Sequence, residues 1–138
     1  MNRTLHLRTL VALAITLGSL AARADVTAEW AAIAASSAQE ARQSPQAAAR
    51  SLRTVREAIA KAAAAARNGS PGSTAERHDA AVAVAAFAVL EHLYPDQREG
   101  LEAQLAVSFS RIPENAAKAD GAAIGRMVTN EMLVAGRR

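Results

Sequence analysis

The sequence predicts an all-α protein in which a signal peptide is followed by about five helices that form a partial helical bundle. Alanine, the strongest helix former, supplies 37 of the 138 residues. Apolar residues recur at steps of three and four, which is the spacing of one helix face. Prolines at positions 45, 95 and 113 and a Gly- and Ser-rich stretch at 68–73 divide the chain into helix-sized segments.

Residues 1–24 have the layout of a secretory signal peptide. Arg3 and Arg8 form a basic start, residues 10–17 are apolar, and Ala22-Arg23-Ala24 is a small-x-small cleavage site. A spanning helix needs about 20 apolar residues, and Gly18, Ser19 and Arg23 interrupt this run too early. We therefore expect cleavage after Ala24, no stable membrane insertion afterwards, and a periplasmic or secreted protein.

The signal also accounts for the whole excess of positive charge. The chain has 16 Lys and Arg against 13 Asp and Glu, and Arg3, Arg8 and Arg23 make up the difference. Residues 25–138 are therefore neutral, and we interpret their arginines as interspersed with acids and not as a basic patch, so we expect no nucleic-acid partner. Because the chain has no cysteine, packing alone must stabilise the exported fold.

Residues 25–67 predict two Ala-rich amphipathic helices. Asp25 or Thr27 can cap the first helix, which should end near Gln43 with Trp30 on its apolar side. In the second helix, from about Gln46 to Arg67, one face carries the apolar residues Leu52, Val55, Ile59, Ala63 and Ala66. The opposite face carries Arg53, Arg56, Glu57, Lys61 and Arg67.

Residues 68–73 predict a loop, and residues 74–138 a three-helix core segment. Ser73 followed by Glu76 fits a capping box, and residues 80–93 are apolar nearly all round, which predicts a central helix. A buried strand is the alternative, but 14 residues are long for one. Residues 26–81 hold 6 large apolar side chains and residues 82–138 hold 18, so the core is expected in the second half.

Pro95 and Pro113 are each expected in the first turn of a further helix. The first of these two helices has the stripe Leu101, Leu105, Ser108, Phe109 and Ile112. In the second, Glu114 and Lys118 are spaced for an ion pair. Gly121, Ala122 and Gly125 would allow close approach of a neighbouring helix, unless they only reflect an Ala- and Gly-rich composition.

Two turns carry a resemblance to a known family. Residues 79–98 (DAAVAVAAFAVLEHLYPDQR), followed by residues 112–121 (IPENAAKADG) and Ile124-Gly125, resemble the N-terminal helical part of bacterial vanadium-dependent haloperoxidases, which belong with the type 2 phosphatidic acid phosphatases. Glu29-Trp30 and the helix at 48–62 resemble the opening helices of that family. The resemblance implies a non-catalytic front portion of a longer enzyme, in which vanadate or phosphate is bound by a C-terminal half.

The resemblance assigns no catalytic, cofactor-binding or metal-ligating residue to this chain. The family's oxyanion site needs a Lys with Arg-Pro seven residues on, a Pro-Ser-Gly-His stretch, and a Ser-Arg followed by His. Lys61 is followed by Arg67 one residue early, and Lys118 has Gly125 where the Arg should be. No histidine follows Ser110-Arg111.

Other candidate residues favour structural roles. His78 and His92 are 14 residues apart, which fits neither the spacing of a helical metal pair nor a common zinc pattern. His78-Asp79 could be a base with its orienting acid, but a helix start predicts solvent-facing side chains. Trp30 could stack on a ligand, although a core or interface anchor is the favoured interpretation. Gly69-Ser70-Pro71-Gly72 lacks the Lys-Ser/Thr of a phosphate-binding loop.

Two functions follow as hypotheses. In the first, the chain is the truncated front piece of a haloperoxidase-like or phosphatase-like enzyme, inactive alone, and supplies scaffold helices to a separately encoded catalytic half. In the second, it is a complete, non-catalytic periplasmic protein that binds a partner, or a second copy of itself, through apolar helix faces. The uneven distribution of large apolar residues favours the first.

Overall fold

The computed structural model describes residues 25–69 and 72–137, and within them it contains helices and turns but no strand. This confirms the predicted all-α class, whereas the predicted signal peptide lies outside the described residues. The five α-helices of the described part are α1 (Asp25–Glu40), α2 (Pro45–Arg67), α3 (Thr74–Leu93), α4 (Arg98–Ser110) and α5 (Ala116–Ala135). A single 3₁₀ turn, Pro95–Gln97, leads into α4.

Helix α3 is the centre of the bundle. Every residue from Ala80 to Ala86 is buried, and the helix packs against α1, α2, α4 and α5. A helix that is apolar on all sides is stable only when other helices cover all of its sides, because removal of apolar Val and Ala side chains from water lowers the free energy of the fold. The prediction of a central helix is confirmed, and the strand alternative is wrong.

Helix α5 packs so closely against α3 that the backbones of the two helices are in contact. A Cβ atom built on Gly121 would lie 2.2 Å from the carbonyl oxygen of Arg77, and one on Gly125 would lie 2.7 Å from the carbonyl oxygen of Ala81. Only glycine fits where another backbone comes so close. The predicted close approach at Gly121 and Gly125 is therefore a real contact and not an accident of composition.

The core is not confined to the second half of the chain, and that prediction was wrong. Trp30 is fully buried in α1, and Val55 and Ile59 are buried in α2. Around them lie buried alanines of both helices, namely Ala34, Ala38, Ala58, Ala62 and Ala66. Small side chains allow helices to pack closely, so a segment with few large residues can still bury its backbone and its methyl groups.

Two helix ends in the first half differ from expectation. Helix α1 ends at Glu40 because Arg42 has a φ of 51°, in the left-handed region, which stops the helix before Gln43. Pro45 does not simply end this helix but begins α2, where Ser44 is the N-cap and its Oγ accepts from the Ala47 N–H at 3.3 Å. Proline suits the first helical position because its missing N–H would be unpaired there anyway.

Three helix starts in the second half also differ. The predicted capping box is wrong, because Ser73 has a left-handed backbone and its side chain caps no N–H. Pro95 lies in the 3₁₀ turn, so α4 itself begins at Arg98. Pro113 lies outside α5, whose N-cap is Asn115 with its Oδ1 accepting from the Lys118 N–H at 3.0 Å. Helix α5 therefore begins after Asn115, because an Asn side chain caps a helix N-terminus and a proline side chain cannot.

Replacement of Gly121 by Ala should destabilise the protein by about 1–3 kcal/mol, because the new methyl group must push α5 away from α3. Gly100→Ala is the matched control, since a Cβ at Gly100 in α4 meets nothing within 4 Å. That change should be neutral or stabilising by up to about 1 kcal/mol. Urea unfolding followed by circular dichroism measures both free energies, and equal effects of the two changes would contradict the close contact.

Candidate functional site

The histidines singled out in the sequence do not form a site together. His78 Nδ1 lies 3.0 Å from Asp79 Oδ1 near the start of α3, and the pair is partly buried. His92 is exposed near the other end of the same helix. Among the described residues, no group of three His, Cys, Asp or Glu side chains lies close enough to hold a metal ion.

Trp30 anchors α1 to α4. Its ring is fully buried, and its Nε1–H donates to Ser108 Oγ at 3.2 Å. Ser108 is itself 1% exposed, so this hydrogen bond pairs two polar groups that water cannot reach. The interpretation of Trp30 as a core residue is confirmed, since a fully buried ring has no face left for a ligand.

The two lysines that were compared with an oxyanion site lie in unrelated surroundings. Lys61 is exposed on α2 and pairs with Glu57 at 2.8 Å. Lys118 is buried, and its Nζ donates to the carbonyl oxygens of Phe109 at 2.9 Å and Ile112 at 3.3 Å. It also forms the predicted ion pair with Glu114. Lys118 thus ties the turn after α4 to the start of α5.

Ser110 and Arg111 are likewise used within the fold. Ser110 Oγ donates to the Val107 carbonyl oxygen at 2.7 Å, which closes the last turn of α4. Arg111 Nη2 donates to Glu29 Oε1 at 2.7 Å and so joins the end of α4 to α1. Both contacts position helices.

A groove of about 790 Å³ lies between α1 and α4, and we call it the α1–α4 groove. Its polar rim contains the carboxylates of Glu29, Glu40, Asp96 and Glu99 and the amides of Gln97 and Gln104. None of the described lining residues is His, Lys or Arg. Such a lining attracts cations or basic side chains and repels oxyanions.

Glu29 is the least satisfied group in this groove. Its Oε1 accepts from Arg111, but Oε2 is shielded from water and has no hydrogen-bond partner in the described part of the chain. A carboxylate has about four acceptor positions, so this oxygen retains capacity for a further donor. At the other side of α4, the hydrogen bond that Arg98 donates to Glu102 and the charge of Glu91 raise the pKa of Arg98 above its ordinary value.

Apolar side chains remain exposed on α4 and α5. Val107 is 49% exposed, Met127 51% and Val134 53%. Helix α4 is the least buried helix relative to its length, since only Leu101 and Ser108 of its 13 residues are buried. Its Leu105 and Phe109 are half-buried at the edge of the core. No helix in the described ranges is long and apolar enough to cross a membrane.

Sequence reasoning placed Arg53, Arg56, Lys61 and Arg67 on one face of α2, but it missed the separation of charge between helices and the α1–α4 groove. The separation could have been found by counting charge helix by helix, because residues 25–40 contain no Lys or Arg while residues 42–67 contain one acid, Glu57. Net charge over residues 25–138 conceals this separation. The folded positions of α1 and α4 were still needed to show that their acids share one groove.

Comparison of the chain with protein-family models, with curated proteins and with solved structures gives no match.

Replacement of Ser108 by Ala should destabilise the protein by about 1–3 kcal/mol, because the indole N–H of Trp30 would stay buried without a partner. Ser110→Ala is the matched control, since its hydroxyl is exposed, and should change stability by less than about 0.5 kcal/mol. Fluorescence of Trp30, the single tryptophan, follows urea unfolding of both variants. Equal stability of the two variants would contradict the contact.

Proposed function

We propose that this chain is an exported, non-catalytic helical scaffold that packs against the catalytic unit of a vanadium-dependent haloperoxidase-like or phosphatidic acid phosphatase-like enzyme. The resemblance of residues 79–98 and 112–121 to the helical front part of those enzymes supplies the identity of the partner. The observation that carries the proposal is the exposure of α4. Val107 of this helix lies at the surface, Leu105 and Phe109 are half-buried, and only two of its 13 residues are buried.

Helix α4 receives little stabilisation from packing against the rest of the bundle. A helix of 13 residues is marginal in isolation, so it depends on packing for its stability. Its inward contacts are Leu101, Ser108 and the edges of Leu105 and Phe109, which leaves Val107 on the open side. A second helical unit laid along α4 would bury Val107 and complete the packing of the half-buried side chains.

The polar contacts of this chain agree with a scaffold role. Lys118 is held by two carbonyl oxygens and Glu114, so its ammonium group is already satisfied by the turn it stabilises. Arg111 is paired with Glu29, and the groove beside them is acidic. An oxyanion such as vanadate or phosphate needs preorganised cations and N–H donors, which the proposal assigns to the partner.

The first experiment identifies the catalytic unit. The DNA next to the gene, translated in every frame, should encode a Pro-Ser-Gly-His stretch and a Ser-Arg followed by His. That product, co-expressed with this chain, should co-purify as a complex with phosphatase or haloperoxidase activity, whereas the chain alone should show none. Absence of such a frame, or activity of the chain alone, would contradict the proposal.

Val107→Asp should weaken this complex at least tenfold, because the carboxylate would be buried at the contact without a partner. Ala106→Asp is the matched control next in the chain, at a position that is also exposed on α4 but rotated by about 100°. Isothermal titration of the catalytic unit with each variant measures the dissociation constants. Equal weakening by both changes, or by neither, would contradict docking along Val107.

The exposed Met127 and Val134 on α5 favour a second candidate function. In this alternative, the protein is a non-catalytic helical protein that binds its partner through α5. Met127→Asp, not Val107→Asp, would then abolish binding of that partner. The two variants therefore separate the two functions by the helix that makes the contact.

A further inference from the structure

Charge is separated by helix in this neutral protein. Residues 42–67 contain six Arg and Lys side chains and one carboxylate. Residues 25–40 contain three carboxylates and no basic side chain, and residues 95–110 contain three carboxylates and Arg98. The fold brings the two acidic segments together on either side of the α1–α4 groove, while the basic segment forms α2.

The exposed side of α2 is a basic ridge, which we define as Arg50, Arg53, Arg56, Lys61 and Arg67, all exposed. Within the described residues, Lys61 is the one member that forms an ion pair, with Glu57. Small exposed alanines, Ala49, Ala60 and Ala64, lie between these cations. The long basic side chains therefore project beyond the methyl groups of these alanines, where a side chain of another molecule can contact them.

Within one molecule the basic ridge cannot neutralise the groove. Helix α2 packs against α1, α3 and α5, whereas the groove opens between α1 and α4. The ridge residues are those that α2 turns away from the bundle, since Val55, Ala58, Ile59, Ala62 and Ala66 face inward. Neutralisation of both surfaces requires a second molecule.

We propose that the basic ridge of one copy docks into the α1–α4 groove of a second copy of this chain. The ridge is convex and the groove concave, and they carry opposite charge. At 1.5 Å per residue, Arg50 to Arg67 spans about 26 Å and Glu29 to Glu40 about 17 Å, so three or four ridge cations can align with the carboxylates of one groove. Glu40, Asp96 and Glu99, which are exposed along the groove, supply the acceptors.

This contact joins two different surfaces of the chain. If each copy docks its ridge on a different neighbour, the contact produces chains or rings, and if two copies dock reciprocally, it closes a two-fold dimer. A two-fold arrangement of ridges would place like charges opposite one another. Since the contact consists of exposed charges, salt must weaken it.

A second copy explains both surfaces, whereas an anionic membrane or a nucleic acid would use the ridge alone. The ridge carries no aromatic side chain on which a base could stack. Its guanidinium groups match carboxylates as bidentate donors, and the groove presents four carboxylates. The inference is independent of the proposed function, which uses α4 at Val107.

Analytical ultracentrifugation of the full-length protein tests this contact. In 50 mM NaCl the protein should self-associate as its concentration rises, and 500 mM NaCl should weaken the association at least tenfold. A ridge variant, Arg53→Ala with Arg56→Ala, and a groove variant, Glu40→Gln with Glu99→Gln, should each be monomeric. An equimolar mixture of the two should form a dimer that grows no further, because only one functional ridge and one functional groove remain.

Arg126→Glu, at an exposed position on α5, is the control and should assemble as the unchanged protein does. Val107→Asp should also leave assembly unchanged, so that failure of the proposed function and failure of this contact are distinguishable. Circular dichroism establishes that each variant is folded. A monomeric wild-type protein in low salt, assembly that persists in the ridge variant, or no dimer in the mixture would overturn the proposal. So would a monomer that binds vesicles with 30% phosphatidylglycerol, or duplex DNA, through the ridge.

Discussion

The contact between α3 and α5 at Gly121 and Gly125 is the constraint on which the rest of the bundle depends. The backbone of α5 lies against the carbonyl oxygens of Arg77 and Ala81, at distances that no side chain would permit. Because residues 80–86 of α3 are all Ala or Val, neighbouring helices can pack closely against this part of the helix. Helices α1, α2 and α4 then cover the remaining sides of α3, and every one of them packs on it.

This organisation distributes stability unevenly and thereby leaves surfaces for other molecules. Helix α3 has ten buried residues, whereas α4 has two and is held mainly by Trp30, Ser108 and the Arg111–Glu29 pair. The same peripheral position places the acids of α4 opposite those of α1. A weakly packed apolar edge and a charged groove thus arise from one cause, namely that α4 lies at the margin of a bundle centred on α3.

The sequence was sufficient for the helical class and for α3 as the central helix, since these depend on composition and spacing. It left the close approach at Gly121 open against an Ala- and Gly-rich composition, and the distance to the Arg77 carbonyl oxygen decides it. It was not sufficient for helix starts at Ser73 and Pro113, where a left-handed backbone and the Asn115 cap prevailed over simpler signals. Trp30 and Ser108 are buried against each other although 78 positions separate them in the sequence. The α1–α4 groove is likewise formed by segments that are far apart in the sequence. Local patterns do not encode such pairings, so the core of the first half and the groove required the fold.

Amide hydrogen exchange, resolved residue by residue in the full-length protein, tests the central claim that the bundle is organised around α3 and leaves α4 marginal. Exchange reports the free energy of local opening, which rises with burial and packing. The account predicts the slowest exchange between Val82 and Leu90 of α3, intermediate rates in α2 and α5, and rates at least tenfold faster between Glu102 and Phe109 of α4. Equal protection of α4 and α3 would contradict it.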